Sequence, residues 1–400
     1  MKTILILGDT PLYRDGRVER HINALKNNYN IIITGTAAPN IEGVQFIQFT
    51  DTEPNNIQNK VIRKLKKLQR IIFYKKYTSK KLDKMYWNII YIKELWEALK
   101  SLDNIDLILS NDFMMLPLGI KLSKLKNIPI IADMHEYAPR QFENMLGWAK
   151  TEGLFRTYLC KMYLPKANKV FTVSPGLGKK YYKTFGVKCE ILTNAPEYEE
   201  LKPTKVNKVI KLVYHGGTGS RGLEIFVPIM KKLGKSYTLD LYLVHNQGSR
   251  KSNKLIKKLS SLKNITLNEV VPPEDIAKTI NQYDLGLYIL KPTSFNQKYM
   301  LPNKLFEFGQ ARLGVIMGPN IETSKYINKY KFGAISKDFE VDSAVQLIKS
   351  LTKEDIEKFK INANNFAKEE NSEKNAKLLR KAVSELLIRR EDNDERTRRI

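Results

Sequence analysis

Cysteine is scarce in this sequence, which has only Cys160 and Cys189 among 400 residues. The two lie 29 positions apart and form no CxxC pair, so neither a disulfide framework nor a zinc site of usual spacing is expected. A reducing, cytoplasmic environment fits this cysteine usage best.

Long hydrophobic runs are also missing. The first nine residues contain an apolar run of four, at positions 4–7, which is too short for the apolar core of a signal peptide. Nowhere do about 18 uncharged apolar residues follow one another. We therefore expect a chain that is neither exported nor membrane-spanning.

Acidic residues are outnumbered, because 42 Asp and Glu stand against 68 Lys and Arg, a formal net charge of +26. Such a charge attracts nucleic acid, anionic lipid or phosphorylated small molecules. The segment 60–84 carries eleven Lys or Arg and one acid among apolar and aromatic residues, and Trp87, Tyr91 and Trp96 follow it. Residues 60–96 therefore fit either a helix on an anionic membrane surface or a surface helix with its apolar side in the core.

Short apolar runs alternate with helical stretches throughout the chain, which predicts parallel strands buried on both faces. The runs stop at a linker-like stretch, 194–207, and then restart. The predicted strands are 3–7, 31–34, 107–109, 128–132 and 170–173, then 211–214, 239–244, 265–267, 285–289 and 315–317. We predict an α/β protein with two doubly wound domains, 1–195 and 196–375, followed by a C-terminal helix and charged tail, 376–400.

A glycine-rich turn follows the first strand of the second domain. Gly216, Gly217 and Gly219 lie in it, and Gly217, Gly219 and Gly222 match GxGxxG. Glycine backbone at a helix start can cradle a diphosphate, and Arg221 adds a permanent cation. An NAD site would want an acid at the end of the next strand, but that strand ends near Val244 with Asp240 inside it. The turn is predicted to bind phosphate, with a ligand-free turn and a surface arginine as the alternatives.

A second motif begins at Pro302, which suits the first turn of a helix. Asn303, Lys304 and Glu307 then share one face near its N-terminus. The Glu307 carboxylate can accept hydrogen bonds from a ribose diol, and Lys304 can meet phosphate. The alternative is that Lys304 and Glu307 only pair with each other.

Polar side chains also end a buried strand of the first domain, at Asp133, His135 and Glu136. Open α/β sheets bind ligands at this end of their strands, so His135 can contact a substrate and Glu136 can orient it. The other histidines supply no fixed-spacing partner for a metal. Arg17 opens a helix after the first strand and can face the same site, while Asp15 can simply cap that helix.

These motifs together resemble the GT-B glycosyltransferases of the large retaining family 4. The similar stretches occur in the family's order between residue 3 and about residue 320, and the run Pro-Asn-Lys-Leu-Phe-Glu at 302–307 is the most specific. The others are 15–18, 133–136, 173–174, 194–196 and the turn through 221–222.

The resemblance implies two Rossmann-like domains, with a nucleotide-sugar held mainly by the second and an acceptor mainly by the first. Glu307 matches the second glutamate of the family's E-x7-E motif, which binds ribose, and Tyr299 stands in place of the first. Arg221 matches the lysine of the diphosphate clamp, whose arginine is replaced by glycine. His135 matches the histidine that contacts the transferred sugar.

The expected activity is transfer of a sugar from a nucleoside-diphosphate sugar to a hydroxyl of a glycan or lipid-linked glycan, with retention, in surface polysaccharide synthesis. No cofactor and no obligatory metal are expected. The expected location is the cytoplasm, at the inner face of the membrane through 60–96. The alternatives are a nucleic-acid-binding protein that uses 60–84, and an NAD-dependent oxidoreductase.

Overall fold

The computed structural model describes residues 1–50, 78–218, 222–244 and 249–398, with side chains up to residue 392. The described chain divides into two compact units. Unit 1 comprises residues 1–193, 294–297 and 375–400, and unit 2 comprises residues 194–293 and 298–374. Of the basic segment 60–84, residues 60–77 lie outside the described residues.

Unit 1 is built on a seven-stranded parallel sheet in the order β3-β2-β1-β4-β5-β6-β7. Its strands are β1 (Thr3–Leu7), β2 (Asn30–Gly35), β3 (Gln45–Gln48), β4 (Leu107–Asn111), β5 (Ile130–Met134), β6 (Lys169–Thr172) and β7 (Glu190–Ile191). The helices between them are α1 (Gly16–Leu25), α2 (Ser79–Trp87), α3 (Ile90–Lys100), α4 (Asp112–Lys126), α5 (Glu152–Tyr163) and α6 (Pro175–Phe185).

Unit 2 is built on a six-stranded parallel sheet in the order β10-β9-β8-β11-β12-β13. Its strands are β8 (Ile210–Gly217), β9 (Tyr237–Val244), β10 (Ile265–Asn268), β11 (Leu285–Tyr288), β12 (Gly314–Met317) and β13 (Gly333–Ile335). The helices are α7 (Phe226–Leu233), α8 (Arg250–Leu259), α9 (Ile276–Ile280), α11 (Asn303–Gln310), α12 (Ile321–Tyr330), α13 (Val341–Ser350) and α14 (Lys353–Glu369). Between α9 and α11, the short helix α10 (Phe295–Tyr299) belongs to unit 1 up to Gln297 and to unit 2 from Lys298.

The central strands are apolar and buried on both faces, as a sheet covered by helices on both sides requires. Two parallel sheets with interleaved helices confirm the predicted α/β class with two Rossmann-like units. In the described part of the chain, no helix is long and apolar enough to cross a membrane.

The last helix, α15 (Ser372–Arg398), belongs to unit 1 from Asn375 onward. Its apolar side chains Leu379, Ala382, Val383 and Leu387 enter the core formed by β1, β2 and α1. Near its end, Glu391 pairs with Lys2 at 2.5 Å. Unit 1 is therefore assembled from both ends of the described chain.

Candidate functional site

The glycine turn of unit 2 is shaped by the last residues of β8. Gly216 has φ +135°, a conformation that L side chains rarely adopt, and a Cβ there would lie 2.8 Å from the Nζ of Lys304. Gly217 ends the strand, and the Thr218 N–H donates to the Val244 carbonyl at 3.0 Å. Gly219 and Arg221, also predicted for this site, lie outside the described residues.

The predicted second motif forms α11, which begins at Asn303 with Pro302 as its N-cap. The Nζ of Lys304 lies 5.2 Å from the centre of the Tyr214 ring, beside the backbone of Gly216. One turn further along, Glu307 Oε2 lies 3.2 Å from the Nε2 of His215. The end of β8 and the first turn of α11 thus bring a cation and a carboxylate to one place.

Burial controls the charges in this group. It lowers the pKa of Lys304, against the opposing effect of the Glu307 charge. Burial and then the Lys304 charge lower the pKa of His215 to about 3, so its imidazole is neutral at pH 7. The arrangement offers a partly desolvated ammonium group, which an anionic ligand would stabilise.

The other predicted unit 2 residues are more peripheral. Asn303 is exposed at the start of α11, and Tyr299 is half-buried at the end of α10. The structure adds Tyr214, whose ring lies next to the Lys304 amine. It was missed because a tyrosine inside an apolar strand gives no sequence signal beyond burial.

In unit 1, the predicted strand-end residues centre on Asp133. Its carboxylate accepts hydrogen bonds from Arg17 Nε and Nη2, both at 2.6 Å. The Nε2 atoms of His21 and His135 lie 3.3 Å and 3.4 Å from its Oδ2. Burial would raise the pKa of Asp133, but the charge and hydrogen bonds of Arg17 outweigh it and hold that pKa well below its usual range.

The predicted bounds of this strand were wrong by two residues. The strand was predicted at 128–132, but β5 runs from Ile130 to Met134, so Asp133 is inside it and fully buried. Pro129, which has no N–H to donate, precedes the observed strand. The carboxylate therefore serves as the buried partner of Arg17.

Arg17, predicted on the acceptor side, is itself buried and also donates to the carbonyl of Leu192 at 3.0 Å. Asp15 caps α1, because its side chain accepts a hydrogen bond from the Val18 N–H at 3.2 Å. This is the capping role predicted from the sequence as the alternative. Arg17 thus links α1, β5 and the chain after β7, and its contact with an acceptor stays a prediction.

His135 and Glu136 follow β5 at the carboxyl edge of the sheet. Burial works to lower the pKa of His135, but the hydrogen bond and charge of Asp133 raise it above its usual value. Glu136 Oε2 accepts a hydrogen bond from the Asn296 side chain at 3.2 Å, and burial raises the pKa of this carboxyl. Both side chains are half-buried, so they remain candidates for substrate contact.

Two carboxyl groups that sequence reasoning missed lie at the same edge. Asp9 follows β1, and burial together with the charge of Asp112 raises its pKa to about 7. Asp112 follows β4, and burial raises its pKa. The available signal was an acid within two residues of the end of β1 and of β4. Among the described residues, no group of three or more His, Cys, Asp or Glu is placed to hold a metal ion.

The described aromatic part of 60–96 packs onto unit 1. The Lys121 amine lies 4.2 Å and 3.8 Å from the ring centres of Trp87 and Trp96. The Tyr91 ring stacks on Phe49 at 5.2 Å. These contacts favour the core interpretation for residues 87–96, while residues 60–77 lie outside the described residues.

No protein-family model and no curated protein sequence matches the chain. Solved structures do match it. They include sucrose-phosphate synthase from Thermosynechococcus elongatus (TM-score 0.73, 12% identity, 97% of this chain and 100% of that chain). Anabaena HepE in complex with UDP-glucose also matches (TM-score 0.68, 12% identity, 96% of this chain and 100% of that chain). A third is a glycosyltransferase from Rickettsia africae (TM-score 0.64, 14% identity, 96% of this chain and 97% of that chain). At these identities the likeness shows the fold, which is the GT-B fold.

Proposed function

We propose that this protein is a glycosyltransferase that moves a sugar from a nucleoside-diphosphate sugar to a hydroxyl of a glycan or lipid-linked glycan, with retention, in surface polysaccharide synthesis. The observation that carries the proposal is the Lys304 amine held against the Gly216 backbone, with Glu307 one helical turn away. Structural neighbours with the same fold support it, among them one bound to UDP-glucose and one named a glycosyltransferase.

In this proposal the donor diphosphate lies between the glycine turn and α11. Lys304 gives it a positive charge at a site that is partly desolvated, where a charge-assisted contact is strong. The backbone of Gly216 and Gly217 approaches it closely because no Cβ intervenes. Arg221, outside the described residues, would add the second cation.

Glu307 is assigned to the ribose. Ionised carboxylate oxygens only accept hydrogen bonds, which suits a vicinal diol. Because the pKa of His215 is lowered to about 3, this neighbour stays neutral and does not neutralise the Glu307 carboxylate at pH 7. Tyr299 and Asn303 are proposed to contact the sugar or nucleotide from the ends of α10 and α11.

Bond breaking would develop positive charge on the sugar and negative charge on the departing diphosphate. Lys304 and Arg221 would stabilise the leaving group, with no obligatory metal. In unit 1, His135 is proposed to contact the transferred sugar, while Glu136 and Arg17 belong to the acceptor side. The proposed location is the inner face of the cell membrane, with the basic side chains of 60–96, rather than its aromatic ones, against anionic lipid.

Nucleotide-induced thermal stabilisation tests the proposal directly. The panel consists of UDP, GDP, ADP and CMP with their sugar conjugates. One base should raise the melting temperature, and its sugar conjugate should be hydrolysed or transferred by the enzyme. Absence of stabilisation by every member of the panel would contradict the proposal.

The matched variants are Glu307→Ala and Glu357→Ala, the second on the exposed side of α14. Loss of the ribose contact should weaken nucleotide binding by about tenfold to a hundredfold. Glu357→Ala should bind as the wild type does. Equal affinity in both variants would remove Glu307 from the site.

A further inference from the structure

Exposed apolar side chains are concentrated in one short segment of unit 1. Leu146 is 89% exposed and Met145 is 54% exposed. With Phe142, Leu154 and Met162 they make five of the seventeen large apolar side chains that are exposed in the described chain. Exposed apolar groups that cluster in this way mark a contact surface, whereas single ones do not. We call these five residues, with the lysines between and beside them, the 142–162 surface.

The chain holds this apolar tip in a fixed conformation. The Met145 N–H donates to the Phe142 carbonyl at 2.8 Å, and the Trp148 N–H donates to the Met145 carbonyl at 3.0 Å. Two successive turns therefore satisfy the backbone locally and leave the side chains of Met145 and Leu146 at the tip.

Buried side chains anchor the tip to unit 1. Trp148 is only 6% exposed, and its ring lies under α5, where a Cβ at Gly153 would be 2.9 Å away. The Arg156 guanidinium lies 5.4 Å from the Trp148 ring and 4.4 Å from the Phe113 ring. The apolar tip is thus presented by a packed base.

The helix that follows, α5, also carries exposed apolar side chains. Leu154 and Met162 are eight residues apart in this helix and Lys161 is seven from Leu154, so all three lie on one side. An exposed stripe of apolar and basic side chains is typical of a helix at a lipid interface.

The charged side chains that are exposed between positions 142 and 166 are all basic. Lys150, Lys161 and Lys166 are exposed. The acid nearest the tip, Glu143, is turned inward, since it is paired with Arg140 and accepts from the Phe295 N–H at 2.5 Å. Exposed lysines in the same stretch of chain as an apolar tip suit a surface with anionic headgroups over hydrocarbon.

We propose that the 142–162 surface is where unit 1 docks on an anionic lipid bilayer. Leu146 and Met145 enter the acyl region, and Lys150 and Lys161 lie at the phosphate level. This contact differs from the one assigned to 60–96. It needs no donor nucleotide, so a failure of vesicle binding would contradict the docking alone, and a failure of the nucleotide panel would contradict the proposed function alone.

Co-sedimentation of the full chain with vesicles tests the docking. Vesicles of phosphatidylcholine with phosphatidylglycerol should bind the protein, more weakly at high salt, and vesicles of phosphatidylcholine alone should bind it less. The double variant Met145→Glu, Leu146→Glu should reduce binding about tenfold or more. The matched control is Val270→Glu, Ile361→Glu, at residues of unit 2 that are 52% and 58% exposed. It should bind as the wild type does.

A second readout places the tip in the membrane. Leu146→Trp should add an emission component that shifts to the blue with anionic vesicles and is quenched by brominated acyl chains, beyond the response of the wild type. Three results would overturn the proposal: no vesicle binding by the wild type, equal binding by both double variants, or a dimer in solution that only the Met145, Leu146 variant loses. The last would assign the surface to a second copy of the chain.

Discussion

The ammonium nitrogen of Lys304 occupies the place where a side chain at Gly216 would begin, since a Cβ there would lie 2.8 Å from it. The φ of +135° at Gly216 disfavours any other residue there, and an added Cβ would also force the Lys304 amine to move. The end of β8 and the start of α11 are therefore in direct contact at this point.

Replacing Gly216 by alanine should displace the Lys304 amine. The control is Gly234→Ala, where φ is +73° but nothing lies within 4 Å of the added Cβ. Both changes should cost about 1 kcal/mol or more in unfolding free energy through backbone strain. Only Gly216→Ala should also weaken nucleotide binding, by about tenfold. Calorimetric titration with the nucleotide found by the panel gives the comparison, and equal affinities in the two variants would contradict it.

Replacing Lys304 by methionine should separate phosphate recognition from base recognition. The variant should lose about tenfold to a hundredfold in affinity for the nucleoside diphosphate and little for the nucleoside. It should not unfold more easily, because burial already lowers the pKa of this amine and methionine needs no charge to be desolvated. Lys349→Met, at an exposed lysine of α13, is the control and should leave both affinities unchanged. A parallel loss for nucleoside and diphosphate would place the phosphates elsewhere.

His215 should make unit 2 sensitive to acid. Its pKa is about 3 in the folded chain and about 6.5 when unfolded, so the unfolded state binds more protons between these values and stability falls as pH is lowered through that window. At about pH 5 the loss relative to neutral pH amounts to about 2 kcal/mol. In His215→Gln, the difference in melting temperature between about pH 7.5 and about pH 5 should shrink.

His135 should affect the pH dependence of stability in the opposite direction. Its pKa is raised in the folded chain, so its contribution is fully present below about pH 6.5, the unfolded value, and disappears as pH rises through the folded pKa. His135→Gln should therefore be more destabilised, relative to the wild type, under acid than under alkaline conditions. Melting temperatures of His215→Gln and His135→Gln, measured across pH, test both predictions. If the two substitutions changed the pH dependence of the melting temperature in the same direction, the assigned pKa directions would be refuted.

Asp133→Asn should destabilise unit 1 strongly. It leaves the buried Arg17 guanidinium without its carboxylate, at an expected cost of about 3–5 kcal/mol in unfolding free energy. Glu391→Gln breaks the solvent-accessible pair with Lys2 and should cost less than about 1 kcal/mol. Denaturant titration followed by fluorescence measures both. Similar small losses would mean that Arg17 finds other partners.

The central strands were predictable because burial on both faces leaves an unbroken apolar run. The missed strands β3, β7 and β13 lie at the edges of their sheets. These three strands are short and at least partly exposed, as in Gln45–Gln48, so their sequences carry little apolar signal. A run of apolar residues in a sequence indicates burial, and strands at the edge of a sheet are less buried than central ones.

The candidate donor site was predictable in part. Spacing placed Lys304 and Glu307 on one face of a helix, but it could not show that Glu307 meets His215 or that Lys304 lies over Tyr214. Those contacts depend on how α11 packs beside β8. In unit 1, the strand ends two residues later than predicted, so Asp133 is a buried ion-pair partner inside the strand and does not follow it.

The return of α15 to unit 1 has a consequence for synthesis. Leu379, Ala382, Val383 and Leu387 complete a core that begins at Ile4, yet the ribosome makes them only after the whole of residues 194–374. During synthesis, the core of unit 1 therefore stays incomplete, with part of its apolar surface exposed, while unit 2 is translated and can already fold. Chaperones that hold the emerging chain would act mainly during this interval.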